Sequence, residues 1–230
     1  QAKYDKKFDQ LKKKYKFFVI EDAAQALLTK SDLKKKSCGT FYDVGCYSLS
    51  ITKPIHMVYG GFCATNNDKY AKYLKAVRSN GVSNNKKLKK KLSTSKGLNL
   101  KPSDIHAAIG LFSLKNTQNF SKTLSENYKE YEKSITNKKI KMIKLQGNTP
   151  IPNYATAIVQ DIERFFLFCE RNLIEVSHGV TTITETKTIK APKNNLKNSI
   201  FISNNLVRLP FGTGYKKSEI RKISKILNKF

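Results

Sequence analysis

The sequence predicts an α/β protein on three observations: short apolar runs end in polar residues, Gly and Asn punctuate them, and segments of helical spacing alternate with them. Residues 1–16 form a lysine-rich amphipathic lead-in. Residues 17–20 (Phe-Phe-Val-Ile) then read as a short buried strand delivering Glu21 and Asp22 at its C-terminal end, which is where open α/β sheets bind ligands. Residues 45–50 and 61–65 read as further short strands bounded by Gly and Asn, and residues 68–79 have helical spacing through Tyr70, Leu74 and Val77.

Residues 84–96 are polar, basic and of low complexity, so they read as an exposed loop. Ser103 or Asp104 can cap a helix in which Ile105, Ala108, Ile109 and Phe112 recur at i, i+3, i+4 and i+7, with Gly110 permitting close packing. A longer polar helix follows through Ser134. Beyond it, residues 140–145, 155–159 and 206–209 suggest strands and residues 164–172 a helix. Ser218 is the expected cap of a final helix striped by Ile220, Ile223, Ile226 and Leu227. A domain boundary falls near residue 118, dividing residues 1–118 from a smaller α+β domain at 119–230, with no internal repeat.

Composition excludes disorder: 39% of residues are apolar, and 13 Phe and 11 Tyr stand against 6 Pro. No apolar run approaches the roughly 20 residues that a membrane-spanning helix needs, so no membrane is expected as a partner. The formal charge of +27 raises nucleic acid or another polyanion as a partner. Lys far outnumbers Arg, however, and specific phosphate and base recognition leans on the planar Arg fork, so the charge reads as solvated surface and nucleic acid is disfavoured. Four cysteines (Cys38, Cys46, Cys63, Cys169) form no C-x-x-C pair or dense framework, which suits free thiols in a reducing cytoplasm. Cys38, Cys46 and His56 match no zinc-ligand pattern, and no metal is expected.

Four segments stand in a telling order. They are Glu-Asp-Ala-Ala-Gln-Ala at 21–26, Ser-Leu-Ser-Ile-Thr-Lys at 48–53, Gly60-Gly61, and Gly97-Leu98-Asn99 followed by Ser-Asp-Ile-His-Ala-Ala-Ile-Gly-Leu at 103–111. Leu209-Pro210 then precedes the last helix. Singly, each residue has a plain reading: Asp22 caps a helix, Gln25 sits on a surface, Ser48 is an edge-strand hydroxyl and Asn99 forms a turn. Together the motifs resemble the DegT/DnrJ/StrS family, fold-type I pyridoxal phosphate enzymes that transfer an amino group to nucleotide-linked keto sugars.

The resemblance implies a fold-type I transferase, with part of its mixed-sheet large domain followed by the small domain. It implies that Lys53 holds the aldehyde of pyridoxal 5'-phosphate and shuttles the substrate proton, and that Asp22 pairs with the pyridine nitrogen. Gln25 would touch the ring hydroxyl, and Ser48 and a partner subunit's Asn99 the phosphate, at the interface of a homodimer. Expected partners are a nucleotide sugar and an amino-acid donor, in amino-sugar or cell-surface glycan synthesis in the cytoplasm. Lys53 separates the chain from the sugar 3-dehydratase branch, which has His there. Tyr59, Val58, Asn80 and Lys101 depart from the residues usual at their positions. The chain begins with Gln, and the family's phosphate-binding loop and ring-stacking aromatic belong upstream of these motifs, so it reads as a fragment. Two other readings compete: a non-catalytic scaffold that keeps the family's surfaces, and a polyanion-binding protein that uses the charge.

Overall fold

The computed structural model describes residues 6–31, 36–85, 90–93, 95–145, 151–185 and 196–230. They form two units, one from the described residues of Gln1–Gln118 and Gln146–Ile151, the other from those of Asn119–Leu145 and Pro152–Phe230.

The first unit opens with helix α1 (Lys6–Tyr15), whose lysines leave an apolar edge at Phe8. Phe8 meets the rings of Phe17 and Tyr42 edge-on. Lys12 Nζ donates to Asp43 Oδ2 at 2.5 Å and to the Phe17 carbonyl at 2.9 Å, and Asp43 also accepts the Val19 amide at 2.7 Å. The Lys12 ammonium holds the Asp43 carboxyl below its ordinary range. A depressed carboxylate adds stability above its unfolded pKa and loses it as pH falls through the folded value, so this clamp weakens in acid.

Strand β1 (Ile20–Asp22) runs parallel to β2 (Val44–Ser48), which runs antiparallel to β3 (Gly61–Ala64), giving a mixed sheet of order β1-β2-β3. The strand expected at residues 17–20 therefore begins only at Ile20, and it is not buried: Ile20 is 61% exposed and Phe18 is exposed. An apolar run reports a strand's composition, and here β1 pairs only with β2 among the described residues, which leaves its outer side open. Helix α2 (Asp68–Arg78) is capped by Asn67, whose side chain accepts the Lys69 and Tyr70 amides at 2.9 and 3.2 Å.

Part of the expected loop at 84–96 is instead a hairpin of β4 (Val82–Asn85) and β5 (Lys90–Ser93); residues 86–89 and 94 lie outside the described residues. Ladder bonds use backbone groups that Lys and Asn carry like any other residue, so polar composition did not reveal them. Helix α3 (Asp104–Lys115) starts at Ser103, which accepts the His106 amide. Its apolar stripe stands in the open: Ile105 is 75% and Phe112 64% exposed.

In the second unit, α4 (Thr117–Ser134) reads as polar yet buries Leu124, Asn127, Tyr128 and Tyr131, an i, i+3, i+4, i+7 stripe. It packs on a four-stranded antiparallel sheet of β6 (Ile140–Met142), β7 (Ala155–Val159), β8 (Ser177–His178) and β9 (Leu206–Leu209) in the order β6-β7-β9-β8. Strand β7 alternates buried and half-buried residues, as period-2 geometry requires when one face is covered. Phe165 and Cys169 of α5 (Ile162–Arg171) and Ile220 and Leu227 of α7 (Lys217–Leu227) complete the core. Burial raises the Cys169 thiol to about 11, which makes it inert.

Helix α6 (Lys197–Asn205) has no side-chain cap at Leu196 and is not expected from the sequence. The final helix begins one residue before the expected cap Ser218, with Glu219 reaching back to accept the Lys216 amide at 2.8 Å.

The buried polar side chains of α4 find partners at long sequence range. Tyr128 donates to the Ile143 carbonyl, and Tyr131 donates to the Pro210 carbonyl at 2.8 Å. Asn127 Nδ2 donates to the Gly212 and Tyr215 carbonyls at 3.3 and 2.8 Å, tying α4 to the turn before α7. Because Asn127 is 1% exposed, Asn127→Ala takes the donor from two part-buried carbonyls and is expected to lower unfolding free energy by about 2 kcal/mol. Urea unfolding followed by circular dichroism measures this, and an unchanged midpoint would contradict it.

Candidate active site

The site begins at the C-terminal end of β1, where successive side chains must point to opposite faces. Glu21 takes one face. Its carboxylate accepts the amides of Gly39 (2.8 Å), Phe41 (2.6 Å) and Tyr42 (2.8 Å), fastening residues 39–42 to the strand. Two glycines make this approach possible. Gly39 has φ +86°, and a Cβ on Gly45 would lie 1.9 Å from the Gly39 carbonyl oxygen. Tyr47 lies on the same face, donates to the Cys38 carbonyl at 2.7 Å and stacks on Phe62 at 4.5 Å.

Asp22 takes the opposite face. The register pairs it with Cys46, so Asp22, Cys46 and, two residues on, Ser48 share one side of the sheet. Asp22 Oδ1 accepts the Ala24 amide at 3.1 Å, its one hydrogen bond among the described residues. Gln25 is exposed three residues further on, inside a turn closed by the Ala26 amide on the Ala23 carbonyl at 2.9 Å. Ser48 Oγ accepts the Ser50 amide at 3.3 Å and lies 3.2 Å from Ser50 Oγ.

Residues 49–60 join β2 to β3 as an anchored loop. The Leu49 amide donates to Gly60 and the Met57 amide to Leu49, both at 2.9 Å, while Ile55 and Met57 are buried. Lys53 lies inside it, half-buried, with its amide on the Ser50 carbonyl at 2.9 Å and its amine in no ion pair or hydrogen bond among the described residues. The loop carries backbone strain: Val58, β-branched, sits at φ +69°. His56 Nδ1 is buried without a hydrogen-bond partner among the described residues. A Cβ on Gly110 would meet the Met57 Cβ at 3.2 Å, so this glycine lets α3 close on the loop.

Asn99 lies elsewhere in the unit. It bridges to Ser79 at the end of α2, and the Leu98 and Leu100 amides donate to Val77 and Arg78 at 2.8 and 3.0 Å. No hydrogen bond joins it to Asp22, Ser48 or Lys53 among the described residues. A cleft of about 800 Å³ adjoins this segment, lined by residues that include Lys72, Arg78, Ser95 and Lys101; it does not include Asp22 or Lys53. Among the described residues no group of His, Cys, Asp and Glu could hold a metal ion.

Sequence reasoning missed two features here. Glu21 looked like a second acid beside Asp22 but is consumed by backbone amides, which strand alternation after residue 20 could have indicated. Cys46 and Cys63 face each other across the β2–β3 ladder, a contact that depends on pairing register, which no local signal reveals. Removing the Glu21 carboxylate leaves three amides without their acceptor, so Glu21→Ala is expected to cost about 3 kcal/mol. A chemical-denaturation midpoint unchanged within error would show that the loop holds without it.

The acid, hydroxyl and amine on and after one sheet face are a donor set that fits pyridoxal 5'-phosphate: a counter-charge for a ring nitrogen, a phosphate donor and an aldehyde-binding amine. Comparison with known proteins bears on the family and the fold. The profile of the DegT/DnrJ/EryC1/StrS aminotransferase family matches residues 6–228. The chain is similar to the UDP-4-amino-4,6-dideoxy-N-acetyl-beta-L-altrosamine transaminase of Campylobacter jejuni subsp. jejuni serotype O:23/36, with 33% identity over 132 residues, 54% of this chain and 33% of that protein. Its fold is similar to that of Helicobacter pylori PseC, an aminotransferase involved in pseudoaminic acid biosynthesis, at TM-score 0.83 and 20% identity over 96% of this chain and 61% of that one. It is also similar to the PLP-form of the putative sugar aminotransferase Spr1654 from Streptococcus pneumoniae, at TM-score 0.83 and 16% identity over 100% of this chain and 65% of that one. The chain thus spans a third of the transaminase and about three fifths of the two solved enzymes. With its mixed sheet, its motifs in order and a family match over nearly its whole length, the chain belongs to the DegT/DnrJ/EryC1/StrS aminotransferase family.

Proposed function

We propose that the protein acts as a pyridoxal 5'-phosphate-dependent transaminase on a nucleotide-linked keto sugar, with glutamate as amino donor, in cytoplasmic amino-sugar synthesis for cell-surface glycans. The observation that carries the reading is the shared sheet face of Asp22 and Ser48, with Lys53 held in the anchored loop that follows. When bound, the cofactor supplies an electron sink conjugated to the amino nitrogen. Lys53 Nζ would hold the aldehyde carbon and, once released, take and return the proton at the donor's Cα. The Asp22 carboxylate would hold the proton on the ring nitrogen. Gln25 would hydrogen-bond the ring hydroxyl. Ser48 Oγ and Asn99 of a partner subunit would donate to the phosphate.

The measurement is borohydride fixation of added pyridoxal 5'-phosphate followed by peptide mapping. Label concentrated on the Lys53 peptide, falling to background in Lys53→Ala, is the result expected of the full-length protein. Diffuse label on surface lysines of a folded protein would favour the non-catalytic scaffold instead.

The partner is a second copy of the chain. Supporting this are Ile105, Leu111, Phe112 and Leu114, which leave one side of α3 apolar and exposed beside exposed Leu98 and Leu100. A two-fold contact through this helix would bury them and bring a second Asn99 loop near the interface. Sedimentation of the wild-type protein is expected to give a dimer, and Phe112→Glu a monomer with an unchanged circular dichroism spectrum. A wild-type monomer at high micromolar concentration would refute it.

A further inference from the structure

Cys46 on β2 and Cys63 on β3 are directly paired across the antiparallel ladder, with their sulfurs 3.8 Å apart. The kind of pair can be deduced. Leu49 donates to the Gly60 carbonyl opposite it, so that pair is hydrogen-bonded, and hydrogen-bonded and open pairs alternate along the strands. Three steps back, Cys46 and Cys63 form an open pair, the kind whose Cα atoms sit about 4.5 Å apart. That separation lies at the near end of the ~4.4–6.8 Å range that disulfides span. Their side chains rise from the sheet face that also carries Asp22. Cys63 is exposed and Cys46 is half-buried, whereas Cys38 and Cys169 are both buried.

We propose that Cys46 and Cys63 are a reversible dithiol–disulfide site, oxidised by a small-molecule disulfide such as glutathione disulfide. The exposed Cys63 thiolate attacks one sulfur of the oxidant and expels one glutathione thiolate. The Cys46 thiol, on losing its proton, then attacks Cys63 Sγ and expels the second. Two protein thiols are oxidised, one disulfide is reduced to two thiols, and the two protons released are taken up by the leaving thiolates. The order follows from access. It is reinforced at Cys46, where burial, the neighbouring thiol and the Asp22 carboxylate raise the pKa, leaving Cys46 as the resolving partner. In a reducing cytoplasm such a pair stays open until the thiol pool is oxidised. The bridge would tie β2 to β3 on the Asp22 face, and its chemistry does not depend on whether a cofactor occupies that face.

The test treats the reduced protein with glutathione disulfide, then denatures it, alkylates the remaining thiols and maps the peptides. Two of the four cysteines should resist alkylation, the mass should fall by two hydrogens, and the linked peptide should join Cys46 to Cys63, reversibly with dithiothreitol. Cys63→Ser should abolish the bridge and slow thiol loss at least about tenfold, and Cys169→Ser should leave both unchanged. Four alkylated thiols, a stable glutathione adduct on Cys63, or a bridge to Cys38, to Cys169 or between chains would each overturn the proposal.

Discussion

The parallel pairing of Ile20–Asp22 with Val44–Ser48 sets the positions on which the candidate site depends. Three residue pairs are a short ladder, and a ladder of that length needs support from outside itself. Glu21 provides it by binding three amides of the segment that leads into β2, while the Ala23 amide extends the pairing onto the Cys46 carbonyl at 2.8 Å. The pleat then requires Asp22 to face away from Glu21. One acid is spent on architecture so that its neighbour is presented on the other face, beside Cys46 and in line with Ser48.

The loop after Ser48 shows the same division between support and presentation. Its ends are closed by backbone bonds between Leu49, Met57 and Gly60, and Ile55 and Met57 anchor it below. A left-handed Val58 persists only because these contacts over-determine the path, and strain held this way is common next to ligand-binding groups. Lys53 is thereby carried on a fixed segment, its amine in no ion pair or hydrogen bond among the described residues.

Charge plays a smaller part than the composition suggests. With 44 basic residues against 17 acidic ones, most lysines have no acid to pair with. Among the described residues, the ion pairs of Lys12 with Asp43 and Arg221 with Glu130 join segments distant in sequence. Arg221 holds the Glu130 carboxyl below its ordinary range, although an exposed pair of this kind contributes little stability. The second unit rests on its core instead. There Tyr128, Tyr131 and Asn127 are buried with their polar atoms satisfied, so a helix that reads as polar becomes one wall of the interior.

Local pattern alone determined the α/β class, the strands at 155–159 and 206–209, the Ser103 cap and the helices that follow Asn67 and Ser103, because alternation, helical period and capping chemistry are written within a few residues of where they act. The motif order in residues 21–26, 48–53 and 97–111 likewise sufficed to indicate the family. Tertiary structure decided the rest. It made Ile20 an exposed edge residue, turned part of a lysine-rich stretch into a hairpin, left the α3 stripe open, and used Glu21 rather than Asp22 to hold the loop. It also set Cys63 against Cys46. Each of these depends on which segments pair and in what register, and register is fixed by contacts between residues far apart in the chain, which no window of sequence contains.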